Sequence, residues 1–292
     1  MSFLVDKSTR LIIQGITGRE GTFHCRQMLD YGTNVVAGVT PGKRGAVVEG
    51  VPVYNTVREA IEKHDANASV LFVPPKFLYD GAYEAISSGL PLVITISEGT
   101  PVLDMYRLYH LAKSKGVRLI GPNSFGIISP GKAKAGFMAH RIFSEGPVGV
   151  MSRSATNAYE TVFMLTRKGI GQSTVVGVGG DMIPGSAFID MLPYFEADEQ
   201  TKVIVMIGEI GGSEEERAAE YIAAHIKKPV IALIAGKNAP KERSMGHAGA
   251  IISPNGEGGA ALKEEALSAV GVRIAESTSQ IPSLVESILR GK

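Results

Sequence analysis

The sequence predicts an α/β protein with two doubly wound domains, and three observations support this prediction. Short apolar runs without polar alternation recur along the chain, as in strands that are buried on both faces of a sheet. Amphipathic stretches of helical period lie between them, and this alternation is typical of right-handed βαβ units with parallel strands. The pattern is interrupted by the Gly/Pro/Lys-rich stretch 129–136 and then restarts. Each domain should therefore hold about 130 to 160 residues.

Five strands are predicted in the first half of the chain. They are LIIQGI (11–16), VVAGVT (35–40), SVLFVP (69–74), LVITIS (92–97) and RLIGP (118–122). The segments 57–64 and 102–116 have the apolar spacing of amphipathic helices between these strands. Pro74 and Pro75 are expected to hold the chain extended at the end of the third strand, because a residue before proline disfavours the helical region.

The second half repeats the alternation. Its predicted strands are 149–154, 173–180, 203–210, 230–236 and 272–276. Its predicted helices are roughly 155–168, 186–195, 213–226, 258–268 and 278–289. These elements predict a first domain at 1–128, a linker at 129–145 and a second domain at 146–292.

Composition excludes several functional classes. The 30 Lys and Arg are balanced by 29 Asp and Glu, and there is no Trp, which argues against a nucleic-acid binder. No stretch approaches 18 uncharged apolar residues, so no membrane span is expected. The N-terminus has no leader pattern, and we expect a cytoplasmic protein. Cys25 is the only cysteine and the histidines lack metal-ligand spacing, so neither an internal disulfide nor a metal site is expected.

A glycine-rich loop, QGITGREGTF, follows the first predicted strand. Its glycines at 15, 18 and 21 favour a tight turn and a helix N-terminus that faces a phosphate. A NAD site would place an acid at the end of the second strand, but that strand runs into AGVTPGKRG. Lys43 and Arg44 at this point either suit a ribose phosphate or are solvated turn residues. The residues alone leave NADP and CoA as alternatives.

In the second half, the segment MSRSATNAYE begins a helix with polar residues. Ser152, Arg153, Ser154 and Thr156 could bind an anion with the backbone N–H groups of that helix. Ordinary N-capping by serine or threonine is the alternative.

His247 lies among small residues in SMGHAGAII, so that another group can approach the imidazole closely or the imidazole can move. Glu209 ends a strongly apolar strand and is either a solvated acid or an orienting partner. An imidazole that is oriented by a carboxylate is a better nucleophile at its far nitrogen. We therefore expect Glu209 and His247 to form a pair beside an anion-binding helix.

Four motifs, GVTPGK, PVYNTVREA, MIGEIGGSEEE and MGHAGAII, carry a resemblance to the alpha subunits of succinyl-CoA synthetases, the ADP- or GDP-forming succinate–CoA ligases. The resemblance covers nearly the whole chain. It implies an N-terminal Rossmann-like CoA-binding domain, a flavodoxin-like ligase domain and the reversible ligation of succinate to CoA. It also implies a beta subunit of the ATP-grasp fold that holds ATP or GTP with Mg²⁺, in an αβ or α2β2 assembly.

The resemblance also implies roles for individual residues. His247 would carry the phosphoryl group, and Glu209 would steady it. The implied CoA site comprises Thr17, Gly18, Arg19, Glu20, Lys43, Pro74, Ile96, Ser97 and Glu98. The implied substrate and phosphate site comprises Ser124, Phe125, Ser154, Ala155, Thr156 and Tyr159.

The sequence departs from the family beside the implied acid site. GPNSFG stands where the family reads GPNCPG, which introduces Ser124 and Phe125. SRSATN stands where the family reads SRSGTL, which introduces Ala155 and Asn157. These changes leave malate or citrate open as alternative substrates. A non-catalytic CoA- or NADP-binding protein is a further alternative, but it leaves Glu209 and His247 unexplained.

Overall fold

The computed structural model describes residues 4–239, 246–253 and 256–291. The chain forms two compact units. The first unit comprises Leu4–His140 and Ile183–Gly185, and the second comprises Arg141–Met182 and Ser186–Lys292. Some predicted positions lie outside the described residues. They are the domain ends at 1–3 and 292, and Ser244 and Met245 of the histidine loop.

The first unit is a twisted, mainly parallel sheet with helices between its strands. The strands are β1 (Leu11–Gln14), β2 (Val35–Val39), β3 (Val47–Val48), β4 (Val51–Tyr54), β5 (Ala68–Leu71), β6 (Leu92–Thr95) and β7 (Arg118–Ile120). The helices are α1 (Arg19–Asp30), α2 (Val57–His64), α3 (Pro75–Ser87) and α4 (Val102–Lys115). The spatial order is β3-β4-β2-β1-β5-β6-β7, with every pair parallel except β3 and β4. Without the short β3, this is the Rossmann order.

Burial explains why these segments form strands. Every residue of β1, β5 and β6 is buried, which matches the apolar runs without polar alternation. Helices α3 and α4 contribute Leu78, Ala82, Met105 and Leu108 to the same core. Pro74 is extended as expected, but Pro75 begins α3 and does not prolong an extended segment, because the first helical position needs no backbone N–H. Strands β3 and β4 were not predicted, since β3 has only two residues and Pro52 interrupts the apolar residues of β4.

A hairpin completes the first unit. Strands β8 (Gly126–Ser129) and β9 (Ala133–Gly136) pair in antiparallel register, and β9 contacts α1. The segment 129–145, which the sequence analysis treats as a linker, therefore contains β9 and the first residue of the next strand, β10 (Glu145–Ser152).

The second unit is a parallel sheet that begins with β10. Its other strands are β11 (Gln172–Gly177), β12 (Val203–Glu209), β13 (Val230–Ala235) and β14 (Arg273–Ile274). Its helices are α5 (Ala155–Arg167), α6 (Phe188–Ala197), α7 (Glu214–His225), α8 (Ala260–Ala269) and α9 (Ile281–Leu289). These strands lie in the order β14-β13-β12-β10-β11 with parallel pairing, which is the flavodoxin-like order. The predicted fold class is confirmed. None of the helices in the described part of the chain is long and apolar enough to cross a membrane.

Candidate active site

The candidate active site lies where the strand order of the second unit reverses. Strand β10 pairs with β11 on one side and β12 on the other, so the chains that leave β10 and β12 diverge at this point. Open parallel sheets bind ligands at such a crevice, beyond the carboxyl ends of the strands. Arg153 directly follows β10, and Glu209 is the last residue of β12. Both polar residues therefore reach the same edge of the sheet.

Glu209 holds His247 on one side and Arg153 on the other. Its Oε2 lies 2.6 Å from His247 Nδ1, and its Oε1 accepts a hydrogen bond from Arg153 Nε at 2.8 Å. Arg153 also donates through Nη2 to the carbonyl of Asp181 at 3.3 Å. The side chains of Arg153 and Glu209 are each 9% exposed, whereas that of His247 is 27% exposed. The imidazole is thus the accessible end of a buried chain of hydrogen-bonded side chains.

This geometry defines the chemistry of the imidazole. A carboxylate accepts hydrogen bonds, so His247 Nδ1 carries a proton and donates it to Glu209. In the neutral ring, Nε2 then holds the lone pair and is the nucleophilic nitrogen. As Nε2 forms a bond, positive charge develops on the ring, and the adjacent carboxylate stabilises it.

Glycines provide the space that the histidine occupies. A Cβ at Gly180 would lie 2.6 Å from both Cε1 and Nε2 of His247, so the imidazole packs directly on this backbone. A Cβ at Gly211 would lie 1.9 Å from the carbonyl oxygen of Gly249, two residues beyond the histidine. Close backbone approach is a regular reason for glycine, and here it positions the ring and its loop.

The N-terminus of α5 faces the same cavity. Ser154 caps this helix by accepting a hydrogen bond from the Asn157 backbone N–H at 3.3 Å. The cavity has a volume of about 230 Å³, and its lining comprises Ser154, Asn157, Glu209, Ile210, Ala235, Gly236, His247 and Ala250. A helix N-terminus beside a nucleophilic nitrogen suits an anionic group such as a phosphoryl group.

The other predicted residues of α5 lie around this N-terminus. Ala155 is its first helical residue, and Thr156 follows with an exposed side chain. Tyr159 is half-buried against Phe143, with ring centroids 6.3 Å apart, and burial raises the pKa of its hydroxyl. The structure therefore places Ser154 and Asn157 in the cavity lining, while contact of Ala155, Thr156 and Tyr159 with a substrate stays a prediction.

The predicted CoA residues gather at the carboxyl edge of the first sheet. Thr17, Gly18, Arg19 and Glu20 follow β1, Lys43 follows β2, Pro74 follows β5, and Ile96, Ser97 and Glu98 follow β6. These four strands are neighbours in the sheet, so their loops meet at one edge. The Thr17 hydroxyl donates to that of Thr40 at 3.2 Å, and Ser97 donates to the carbonyl of Val73.

The loop after β1 packs tightly enough to require glycine. Gly15 has φ +75°, and a Cβ there would lie 2.4 Å from the carbonyl oxygen of Phe72. A Cβ at Gly21 would lie 2.1 Å from the carbonyl oxygen of Gly15. This packing brings the N-terminus of α1, capped by Gly18, to the sheet edge, where its backbone N–H groups can face a phosphate.

Ser124 and Phe125 lie between β7 and β8 in the first unit. Both are 2% exposed, and the Ser124 hydroxyl accepts a hydrogen bond from the Gly126 backbone N–H at 2.9 Å. Within the first unit they are core residues. Their predicted contact with the acid substrate stays a prediction.

Two basic side chains lie where α1 contacts β9: Lys134 of β9 is buried, and His24 of α1 is half-buried. Lys134 is 1% exposed, and its Nζ donates to the carbonyl of Met138 at 3.0 Å. Burial lowers the pKa of Lys134 to about 8. Burial, followed by the nearby Lys134 charge, also lowers the pKa of His24, whose ring stacks on Phe72. Neither environment was predicted from the sequence, because Lys134 lies in the stretch that was interpreted as a linker and His24 lies in the first helix.

Family comparisons agree with this division of the chain. Residues 6–99 match the CoA binding domain family, and residues 151–273 match the CoA-ligase family. The two matches fall on the Rossmann-like unit and on the unit that holds Glu209 and His247. By class, the chain is therefore a CoA ligase.

Full-length relatives define the family more closely. A succinate–CoA ligase (ADP-forming) subunit alpha from Aquifex aeolicus strain VF5 is 50% identical over 99% of this chain and 95% of its own length. The alpha 2 subunit from Archaeoglobus fulgidus is 50% identical over 99% of this chain and 100% of its own length. An alpha subunit from Staphylococcus aureus strain Mu50 is 51% identical over 98% of this chain and 95% of its own length. The chain belongs to the family of ADP-forming succinate–CoA ligase alpha subunits.

Solved structures share the fold of the whole chain. ATP citrate lyase from Methanothrix soehngenii, in complex with citrate and coenzyme A, superposes with a TM-score of 0.87 at 23% identity over 99% of this chain. A dinucleotide-forming acetyl-coenzyme A synthetase from Candidatus Korarchaeum cryptofilum superposes with a TM-score of 0.74 at 22% identity over 93% of this chain. This chain spans 51% and 58% of their lengths, respectively. At these identities the likeness is one of fold.

Proposed function

We propose that this chain ligates succinate to CoA reversibly through a phosphohistidine at His247. Cleavage of a nucleoside triphosphate to the diphosphate supplies the phosphoryl group. The observation that carries the proposal is the pair of contacts that Glu209 makes, with His247 Nδ1 at 2.6 Å and with Arg153 Nε at 2.8 Å. The contact with Nδ1 makes Nε2 the nucleophile. The contact with Arg153 fixes the carboxylate that stabilises the charged ring.

The proposed reaction has three steps. His247 Nε2 attacks the terminal phosphorus of the nucleotide, forming a P–N bond while the bond to the leaving diphosphate breaks. A carboxylate oxygen of the acid then attacks that phosphorus, which breaks the P–N bond and forms an acyl phosphate. Finally the CoA thiolate attacks the acyl carbon, forming the thioester and releasing inorganic phosphate. Every step is reversible, since each exchanges one activated bond for another.

The residues of the cavity have separate tasks in this reaction. Ser154 and the N-terminus of α5 offer hydroxyl and backbone N–H groups to the phosphoryl oxygens. Gly180 lets the phosphoryl group on Nε2 lie close to the backbone. Glu209 accepts the hydrogen bond from Nδ1 and stabilises the positive charge that develops on the ring. CoA is proposed to bind in the first unit, at the sheet edge that carries Thr17 and Lys43.

The nucleotide site is proposed to lie on a beta subunit of the ATP-grasp fold, with ATP or GTP and its Mg²⁺. Two points support this: the family relatives are named as alpha subunits, and the sequence has no GxxxxGK[S/T] phosphate loop of its own. The αβ or α2β2 assembly and a cytoplasmic location are part of the same proposal.

Succinate is the proposed acid because the full-length relatives carry that name. Malate and citrate are the alternatives, because the polar Asn157 lines the cavity beside His247. A pocket that hydrogen-bonds a substrate hydroxyl discriminates strongly against an acid that lacks it. Comparing kcat/KM for succinate, malate and citrate with the αβ complex therefore decides the substrate.

Replacing His247 tests the central step. In the complex with the beta subunit, His247→Asn should abolish phosphorylation of the alpha chain and CoA ligation, while CoA affinity stays at the wild-type value. Two measurements test this. The first is transfer of radiolabelled phosphate from the nucleotide to the alpha chain, in a bond that is labile in acid and stable in base. The second is calorimetric titration with CoA. Radiolabel on the alpha chain of the folded variant would refute the assignment.

A further inference from the structure

A fully buried ion pair lies below the active-site end of β12. Lys263 of α8 and Glu215 of α7 have side chains that are 0% and 1% exposed, and Lys263 Nζ donates to Glu215 Oε2. Fully buried lysine and glutamate are rare, because removing their charges from water costs more than the pair regains unless further hydrogen bonds are made. The partners of this pair therefore indicate its purpose.

Glu215 uses its second oxygen to hold the backbone of Glu209. Its Oε1 accepts a hydrogen bond from the Glu209 backbone N–H at 3.0 Å. Gly208 makes this contact possible, because a Cβ there would lie 2.4 Å from the same oxygen. The carboxylate of Glu215 thus reaches the residue whose side chain orients His247.

Lys263 holds the loop that follows. Its Nζ donates to the carbonyl of Gly212 at 3.0 Å and lies 3.3 Å from Glu216 Oε2. The loop between β12 and α7 is consequently held at Glu209 by one member of the pair and at Gly212 by the other. The Gly211 backbone N–H also donates to the carbonyl of Gly258 at 2.7 Å, just before α8.

From these contacts we infer that Glu215 and Lys263 are positioning residues for phosphoryl transfer. They fix the backbone at Glu209 so that its carboxylate spans His247 and Arg153, and they act through Glu209 without touching the substrate. The inference rests on the proposed phosphohistidine chemistry. It deepens that proposal by assigning a task to two residues outside the cavity.

A pair of double variants separates positioning from stability. Glu215→Leu with Lys263→Met removes both charges and leaves no acceptor for the Glu209 N–H. Glu215→Gln with Lys263→Met also removes both charges but retains an amide oxygen in the same place. Replacing a buried ion pair by uncharged groups often preserves stability, so both variants should fold.

The assay measures the rate of phosphohistidine formation in the complex with the beta subunit, beside thermal unfolding and CoA affinity. We expect the Leu/Met variant to phosphorylate roughly tenfold or more slowly, since a misplacement of about 1 Å suffices for large losses. The Gln/Met variant should recover part of this loss but stay slower than wild type, because it restores an acceptor for the Glu209 N–H and still lacks the Lys263 contact with Gly212. Nucleotide KM and CoA affinity should be unchanged in both, which places the effect on the chemical step.

The contrary outcomes are distinct. Equal phosphorylation rates in the two folded double variants would overturn the inference and leave the pair a structural one. If the Leu/Met variant does not fold, Glu215→Val with Lys263→Met replaces it, and the same comparison decides. Failure of the wild-type complex to form phosphohistidine would refute the proposed function itself, which the wild-type control reveals first.

Discussion

Gly180→Ala is the sharpest steric test of the histidine site. The backbone of Gly180 lies outside the left-handed region, so alanine is not strained there by conformation. The added Cβ, however, would lie 2.6 Å from His247 Cε1 and Nε2 and 2.7 Å from Cδ2, whereas ordinary contact begins at 3.4 Å. The ring must therefore move away by about 1 Å. That movement either lengthens the 2.6 Å contact with Glu209 or pulls Glu209 away from Arg153.

The expected consequence is kinetic. A misplacement of about 1 Å costs roughly 10²-fold in rate, which corresponds to about 2.7 kcal/mol of activation free energy. We expect phosphohistidine formation to slow by about this factor in the complex with the beta subunit. CoA affinity should remain unchanged, because the predicted CoA residues belong to the other unit.

Gly249→Ala is the matched control. Gly249 lies two residues from the histidine, but a Cβ there would be 3.6 Å from Met182 Cα and 3.7 Å from Arg153 Nη2, so it fits without a clash. Rapid-quench measurement of radiolabelled phosphohistidine, together with thermal unfolding, compares the two variants. A folded Gly180→Ala protein that phosphorylates within about threefold of wild type would refute the steric reasoning. Equal slowing by both substitutions would refute it as well.

Three further predictions follow from the site and from the first unit. Glu209→Gln should slow phosphorylation of the alpha chain roughly 10²- to 10⁴-fold, the usual scale for positioned acid–base partners, and an unchanged rate would make Glu209 a passive strand-end acid. Lys43→Ala should weaken CoA binding about two- to fivefold at low salt and less at high salt, because exposed charge pairs are screened; calorimetry at two ionic strengths checks this, and salt-independent affinity contradicts it. Lys134 has a pKa of about 8 in the folded protein and an ordinary value of 10.5, so between these pH values the unfolded chain binds more protons and wild-type stability rises with pH, by at most about 3 kcal/mol. Lys134→Met should lack this rise, so its unfolding temperature relative to wild type should fall from pH 7.5 to pH 10; a constant difference would show that the buried amine does not titrate there.

The sequence predicts the fold class because short, uniformly apolar runs alternate regularly with amphipathic segments of helical period. Runs such as VIVMIGE at 203–209 are typical of strands buried on both faces, and the intervening helices favour parallel pairing. Strand β3 escapes prediction because two residues do not define a period, and β4 escapes because Pro52 interrupts its apolar residues. The hairpin of β8 and β9 escapes because its glycines and lysines are typical of a loop, and its pairing depends on tertiary contacts.

The sequence predicted which side chains form the nucleophilic pair of the candidate site, but only some of the contacts that hold them. Glu209 and His247 were expected to pair, and the structure brings them together across 38 positions of sequence. The contact of Arg153 with Glu209 across 56 positions was not predicted, and the expectation that Arg153 binds an anion stays a prediction. The buried pair of Glu215 and Lys263 gives no local signal at all. Charged residues on amphipathic helices usually face water, and only the packing of α7 against α8 shows that these two do not.

The interleaving of the two units has a consequence for synthesis on the ribosome. Residues 183–185 belong to the first unit, where Ile183 packs against the hydrophobic core and the Gly185 backbone N–H donates to the carbonyl of Gly121 at 2.6 Å. A Cβ at Gly185 would also lie 2.4 Å from Leu119 Cγ, so this short segment fits closely against the end of β7. Before it can dock, the nascent chain has already been extended through β10, α5 and β11 of the second unit. The Rossmann-like unit can therefore reach its final packing only after residue 185 has been translated, when β10, α5 and β11 of the second unit have already been made.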